Sequence, residues 1–132
     1  MTVACIGSGY CEMRSAENEL PSLFGNLVEN ENARLFLMCG KGRFIEACTF
    51  AVEMLKSRYA ISVKRTDMPN LLAAKYGDGK TFREAEIRTA VSLADAVVVC
   101  GEYLTDEISR YAVGYAKRTR RRIITVPDRN SK

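Results

Sequence analysis

Three short stretches combine glycine with residues suited to holding an anion. They are Gly7-Ser8-Gly9-Tyr10, Cys39-Gly40-Lys41-Gly42-Arg43 and Gly101-Glu102-Tyr103-Leu104-Thr105-Asp106. Glycine lets a ligand approach backbone N–H groups, and a helix N-terminus supplies unpaired N–H groups with a partial positive charge. Lys41 and Arg43 add formal charge. The chemistry that fits is phosphate binding by Gly7, Ser8, Gly9, Gly40, Lys41, Gly42, Arg43, Gly101 and Thr105, with a nucleotide-like small molecule as partner. No complete motif is present. Gly7-Ser8-Gly9 lacks the third glycine of G-x-G-x-x-G, and Lys41 does not follow a P-loop. The same glycines would serve as plain tight turns, so both readings stand at this point.

Glu102 and Asp106 are the acids of these stretches that stand at a helix entrance. A carboxylate beside an anomeric carbon would stabilise positive charge developing on a ribose. The alternative function is therefore an N-glycosidase or phosphoribohydrolase acting on nucleotides, with Glu102 or Asp106 as its catalytic residue. The chain contains no histidine, which removes Ser-His and Cys-His pairs and the commonest zinc ligand. Its five cysteines are odd in number and include no C-x-x-C. A full disulfide framework and a zinc ribbon both fit poorly, and neither metal nor cofactor is expected. Reduced thiols are the plain reading. Cys5, Cys39 and Cys100 lie in apolar runs and would approach one another if those runs are neighbouring strands. Cys11 sits in the first loop, and no neighbour there lowers its pKa.

Such loops need a scaffold, and the chain alternates strand and helix. Val3–Ile6, 34–38, 60–64, Ala96–Cys100 and Arg122–Val126 read as buried strands, since continuous apolar runs fit a parallel sheet covered on both faces. Four helical stripes lie between them. The first carries Leu20, Leu23, Phe24, Leu27 and Val28, with Ser15 as N-cap and Pro21 near the start. Phe44, Ile45, Cys48, Ala51, Val52 and Leu55 form the second. The third runs from Thr81 to Ala94 behind a capping box, Thr81-Phe82-Arg83-Glu84, and buries Ile87, Val91 and Ala94. The last places Ile108, Tyr111, Ala112, Tyr115 and Ala116 on one face, with Thr105 as N-cap. Strict alternation predicts an α/β fold, a three-layer Rossmann-like parallel sheet of about five strands flanked by helices, in a single domain over 1–132. The long connection from Arg65 to Lys80 suits a lid or an edge cover, and a short helix from Asp67-Met68-Pro69 to Gly77 fits inside it.

Charge and composition limit the partners. The chain of 132 residues is 47% hydrophobic and 27% charged, an ordinary globular balance. Its net charge of +4 divides into +6 for residues 117–132 and −2 for the remainder. An excess confined to one segment argues against a nucleic-acid partner, although an interaction module using that segment remains a third alternative. No apolar stretch reaches the roughly 20 residues that span a bilayer. The start, Met1-Thr2-Val3-Ala4, shows no basic leader, so a cytoplasmic protein without membrane contact is expected.

The layout resembles the SLOG superfamily of Rossmann-like domains, and within it the small YpsA-like branch more than the LOG enzymes. The similar residues are Val3-Ala4-Cys5-Ile6-Gly7-Ser8, Phe36-Leu37-Met38-Cys39-Gly40-Lys41-Gly42-Arg43-Phe44, the helix end Leu55-Lys56-Ser57-Arg58-Tyr59, and Ala94-Asp95-Ala96-Val97-Val98-Val99. The pattern covers nearly the whole chain. The resemblance implies nucleotide binding at the loops named above and a homo-oligomer, typically a dimer. It departs at three places: Gly7-Ser8-Gly9 stands where that branch carries Gly-His-Arg, Tyr103-Leu104-Thr105 where the family has Gly-Gly-Thr before the last helix, and Ile108 where the LOG pattern P-G-G-x-G-T-x-x-E has its glutamate. Ala112-Val113-Gly114-Tyr115-Ala116 is also similar to a segment of nucleoside deoxyribosyltransferases, but Ala112 falls on the position of their nucleophilic glutamate.

Overall fold

Alternating strands and helices assemble into a five-stranded, wholly parallel sheet with helices on both faces. The computed structural model describes residues 1–7, 13–66, 79–100 and 107–126. Its strands are β1 (Thr2–Gly7), β2 (Leu35–Gly40), β3 (Ser62–Arg65), β4 (Ala96–Cys100) and β5 (Arg122–Val126). Its helices are α1 (Met13–Glu31), α2 (Arg43–Leu55), α3 (Gly79–Leu93) and α4 (Glu107–Arg118). The strand order is β3-β2-β1-β4-β5. From β1 the chain steps outward to β2 and β3, then returns to the other side of β1 for β4 and β5. Right-handed crossovers therefore place α1 and α2 on one face and α3 and α4 on the other. The order reverses between β1 and β4.

The two faces are packed differently. Phe24 and Leu27 of α1 and Phe44, Cys48 and Val52 of α2 meet Val3, Cys5, Phe36 and Met38 of the sheet. The Phe24 and Phe36 rings lie 5.1 Å apart, tilted by 53°. Opposite them, Ala90, Ala94, Ala112 and Ala116 pack on Ala4, Ile6, Val97 and Val99. Small side chains there let α3 and α4 lie close to the strands. Every residue of β4 is buried, as its Ala-Val-Val-Val-Cys run requires in the interior of a doubly covered sheet.

Several expectations need correction. β3 is an edge strand whose Ser62, Lys64 and Arg65 are exposed, not a buried run. α1 starts at Met13, so Ser15 lies inside it and Pro21 stands well within the helix. Proline there has no N–H to donate. Burial of Leu20, Phe24, Leu27 and Val28 against the sheet outweighs that loss. α3 starts at Gly79, which places Thr81 inside the helix instead of at its cap. The buried stripe of α4 is Ser109, Ala112, Val113 and Ala116, one position on from the expected face. Tyr111 and Tyr115 border that stripe, where Arg88 donates to the Tyr111 hydroxyl at 2.7 Å. The short helix proposed at Asp67-Met68-Pro69 and the cap at Thr105 lie outside the described residues.

The thiols are also arranged differently. Cys39 pairs in register with Ile6 and faces α3 and α4, whereas Cys5 and Cys100 face α1 and α2. The sulfur that meets Cys5 is Cys48 of α2, and burial, then the hydrogen bond to Cys5, push the Cys48 thiol well above its usual pKa. Cys5, Cys39 and Cys48 are in no disulfide, but Cys100 is disulfide-bonded, which corrects the expectation of uniformly reduced thiols.

Beyond α4 the chain turns through Arg120, whose φ of 59° is left-handed, and Arg121 donates to the Ala116 carbonyl at 2.8 Å. A side chain in that conformation costs about 1–2 kcal/mol, and glycine costs about 0.5–1 kcal/mol in lost chain entropy. Arg120→Gly is therefore expected to stabilise the fold by about 0.5–1 kcal/mol in urea denaturation. A destabilised variant would count against this turn.

Candidate functional site

The carboxyl ends of β1 and β2 meet in register, Gly7 beside Gly40. Gly40 has φ 114°, and a Cβ built there would lie 1.8 Å from the Gly7 carbonyl oxygen. Only glycine allows the two strand ends to close so tightly. The Lys41 N–H donates to that same carbonyl at 3.0 Å, which turns the chain across the top of β1. Gly42 follows with φ 98° and ψ −179° and forms the N-cap of α2. Such a dihedral pair is nearly confined to glycine. Having no side chain, Gly42 offers no oxygen to the N–H groups of the first helical turn, which carries no side-chain cap. An uncapped N-terminus, its partial positive charge and the exposed Lys41 and Arg43 thus share one corner of the rim.

The strand end at Gly7 is enclosed by two helices. A Cβ at Gly7 would come 3.3 Å from the Phe44 ring of α2 and 3.9 Å from the Ser109 hydroxyl oxygen of α4. The N-terminal turns of α2 and α4 therefore flank β1 where strand order reverses. That is the crevice in which open α/β sheets bind ligands. Ser8, Gly9, Gly101, Glu102, Thr105 and Asp106 lie outside the described residues, so the structure gathers Gly7, Gly40, Lys41, Gly42 and Arg43 from the expected set.

Three residues of this rim were not anticipated. Arg65, ending β3, donates through its guanidinium to the Gly40 carbonyl, which anchors the loop from the side of the neighbouring strand. Next to it the hydroxyl oxygen of Thr66 is buried and has no hydrogen-bond partner. Ser109 is the one fully buried polar side chain of the described core. The rule that ligands sit beyond strand ends, applied to the third strand as well, would have reached Arg65 and Thr66. The i, i+3, i+4, i+7 spacing of 109, 112, 113 and 116 carried the signal for Ser109.

The described start of the basic segment, residues 117–122, lies at the other end of the sheet, where β5 begins. Three of its cations are engaged by the chain itself: Arg118 sits over the Tyr115 ring at 5.8 Å, Arg121 donates to the Ser92 carbonyl at 3.3 Å, and Arg122 pairs with Glu31. Hydrogen bonding to Arg122 holds the Glu31 carboxyl below its usual pKa. Among the described residues, no group of three acids or cysteines lies together to hold a metal ion. No described helix is long and apolar enough to cross a membrane. The chain matches no protein-family model, no curated protein and no solved structure.

Proposed function

We propose that this chain is a SLOG-like domain that binds a nucleotide or a nucleotide-derived, phosphate-bearing small molecule at the ends of β1 and β2. The observation that carries this reading is the Gly40-Lys41-Gly42 turn. Two left-handed glycines hold a lysine beside the carboxyl end of β1, the strand that borders the reversal of strand order, and lead into a helix without a side-chain cap. A phosphate oxygen accepts hydrogen bonds from such a turn, and Lys41 and Arg43 balance its charge. Gly7 supports the reading by keeping the floor of the site low.

A thermal-shift screen against mononucleotides, dinucleotides, ADP-ribose and cyclic nucleotides tests it. A ligand at 100 times its Kd stabilises by about 2.7 kcal/mol, several degrees for a domain of this size. If no compound moves the midpoint, the reading fails. Release of free base from a bound nucleotide would instead point to the N-glycosidase alternative. The double variant Arg120→Gln/Arg121→Gln is expected to leave affinity for the best hit unchanged, since both residues lie at the end of the sheet away from the site. A fall of tenfold or more in that variant would move the site to the basic segment.

A further inference from the structure

Two stripes run along α2. Phe44, Ile45, Cys48, Ala51, Val52 and Leu55 are buried and hold the helix on the sheet. Arg43, Glu46, Ala47, Phe50 and Met54, spaced i, i+3, i+4, i+7 and i+11, make a second stripe turned away from it. With Pro21 of α1, that second stripe lines a hollow of about 570 Å³, a volume typical of small-molecule sites. Among the described residues three large apolar side chains are exposed, and two of them stand here, Phe50 at 68% and Met54 at 53%. Arg43 belongs both to the hollow and to the rim at the head of α2, so the two are continuous.

Along this stripe the chemistry changes in order from cation to acid to aromatic ring. Phe50 stands seven residues after Arg43, a rise of about 10 Å, which is the reach of a mononucleotide from its phosphate to its base. Phe50 offers a ring face on which a base stacks, and Met54, one turn further, extends the apolar surface to the length of a two-ring base. Glu46 lies between the ring and the head of the helix, is exposed, and carries two oxygens that accept hydrogen bonds from the vicinal hydroxyls of a ribose. Building on the phosphate reading above, we propose that this hollow receives the nucleoside part of the ligand, a purine ribonucleoside 5′-phosphate. Its base lies against Phe50 and Met54, its ribose on Glu46, and its phosphate at the head of α2 beside Lys41 and Arg43.

Calorimetric titration of the full chain with AMP, GMP, 2′-deoxy-AMP and ribose 5-phosphate tests the assignment. AMP or GMP should bind about tenfold or more tightly than ribose 5-phosphate, which has no base to stack. Phe50→Ala should erase that margin by weakening AMP and GMP alone, and Phe50→Trp, which restores a ring face, should recover it. Phe50 is exposed, so both variants should melt at the parent's midpoint, measured on the same samples. The parent should favour AMP over 2′-deoxy-AMP about three- to tenfold, and Glu46→Gln should narrow that preference. If AMP and GMP bind no more tightly than ribose 5-phosphate, or if Phe50→Ala keeps the margin, the base does not lie in this hollow, and the assignment fails while the phosphate reading stands. A Glu46→Gln protein with the parent's preference removes the ribose from Glu46. If none of the four compounds binds, the phosphate reading itself fails and takes the assignment with it.

Discussion

Gly40→Ala is expected to remove at least about 3 kcal/mol of folding stability, a large share of the roughly 5–15 kcal/mol typical of a domain. The new methyl carbon would lie 1.8 Å from the Gly7 carbonyl oxygen, which no side-chain adjustment relieves because both atoms belong to backbone. Separating them means moving the end of β1 away from β2, in the middle of the sheet, and breaking the bond from the Lys41 N–H to Gly7. The left-handed φ of 114° adds strain of about 1–3 kcal/mol for a residue with a side chain. Each hydrogen bond lost adds about 0.5–1.5 kcal/mol. Urea denaturation measures the sum. An alanine variant within about 1 kcal/mol of the parent would mean that the two strand ends do not close as described.

The requirement at Gly40 shows what the sequence made legible and what it did not. The strand–helix alternation was open to reading because a parallel sheet needs continuous apolar runs, and Val97-Val98-Val99 or Phe36-Leu37-Met38 hardly suit anything else. The loop Gly40-Lys41-Gly42-Arg43 stood out for the same reason, following such a run directly. Which strands lie at the edge was hidden, because sheet order depends on where each crossover lands and not on spacing along the chain. The run 60–64 therefore read as buried, Arg65 fell to the connection after it, and with that the place of Arg65 beside Gly40 was lost. Helix starts were blurred for another reason. Capping residues such as Ser15 and Thr81 mark where a helix is able to begin, while packing of Leu20, Phe24 and Ile87 decides how far it extends. In α4 the bulk of Tyr111 and Tyr115 drew the expected face off-centre: Ala112 and Ala116 are buried as expected, but Ser109 and Val113, where small side chains fit against the sheet, were missed.

Gly42→Val and Lys41→Ala are expected to separate the two meanings of this loop. Gly42 holds φ 98° with ψ −179°, so valine there is strained whether or not anything binds. That variant should lose about 1–3 kcal/mol of stability. It should also lose ligand affinity, because the first turn of α2 shifts and a branched side chain stands where phosphate would approach. Loss of binding at Gly42 alone would thus also follow from a damaged turn. Lys41 resolves the matter. Its side chain is exposed, and its backbone N–H supplies the bond to Gly7, which alanine keeps. Lys41→Ala should leave stability within about 0.5 kcal/mol of the parent. It should weaken a phosphate-bearing ligand about ten- to a hundredfold, for one charged hydrogen bond removed. Calorimetric titration of the parent and both variants with the best compound from the screen measures these effects. If Lys41→Ala remains folded and binds as the parent does, the glycines of this loop are there to turn the chain, and the phosphate site must be sought elsewhere on the rim.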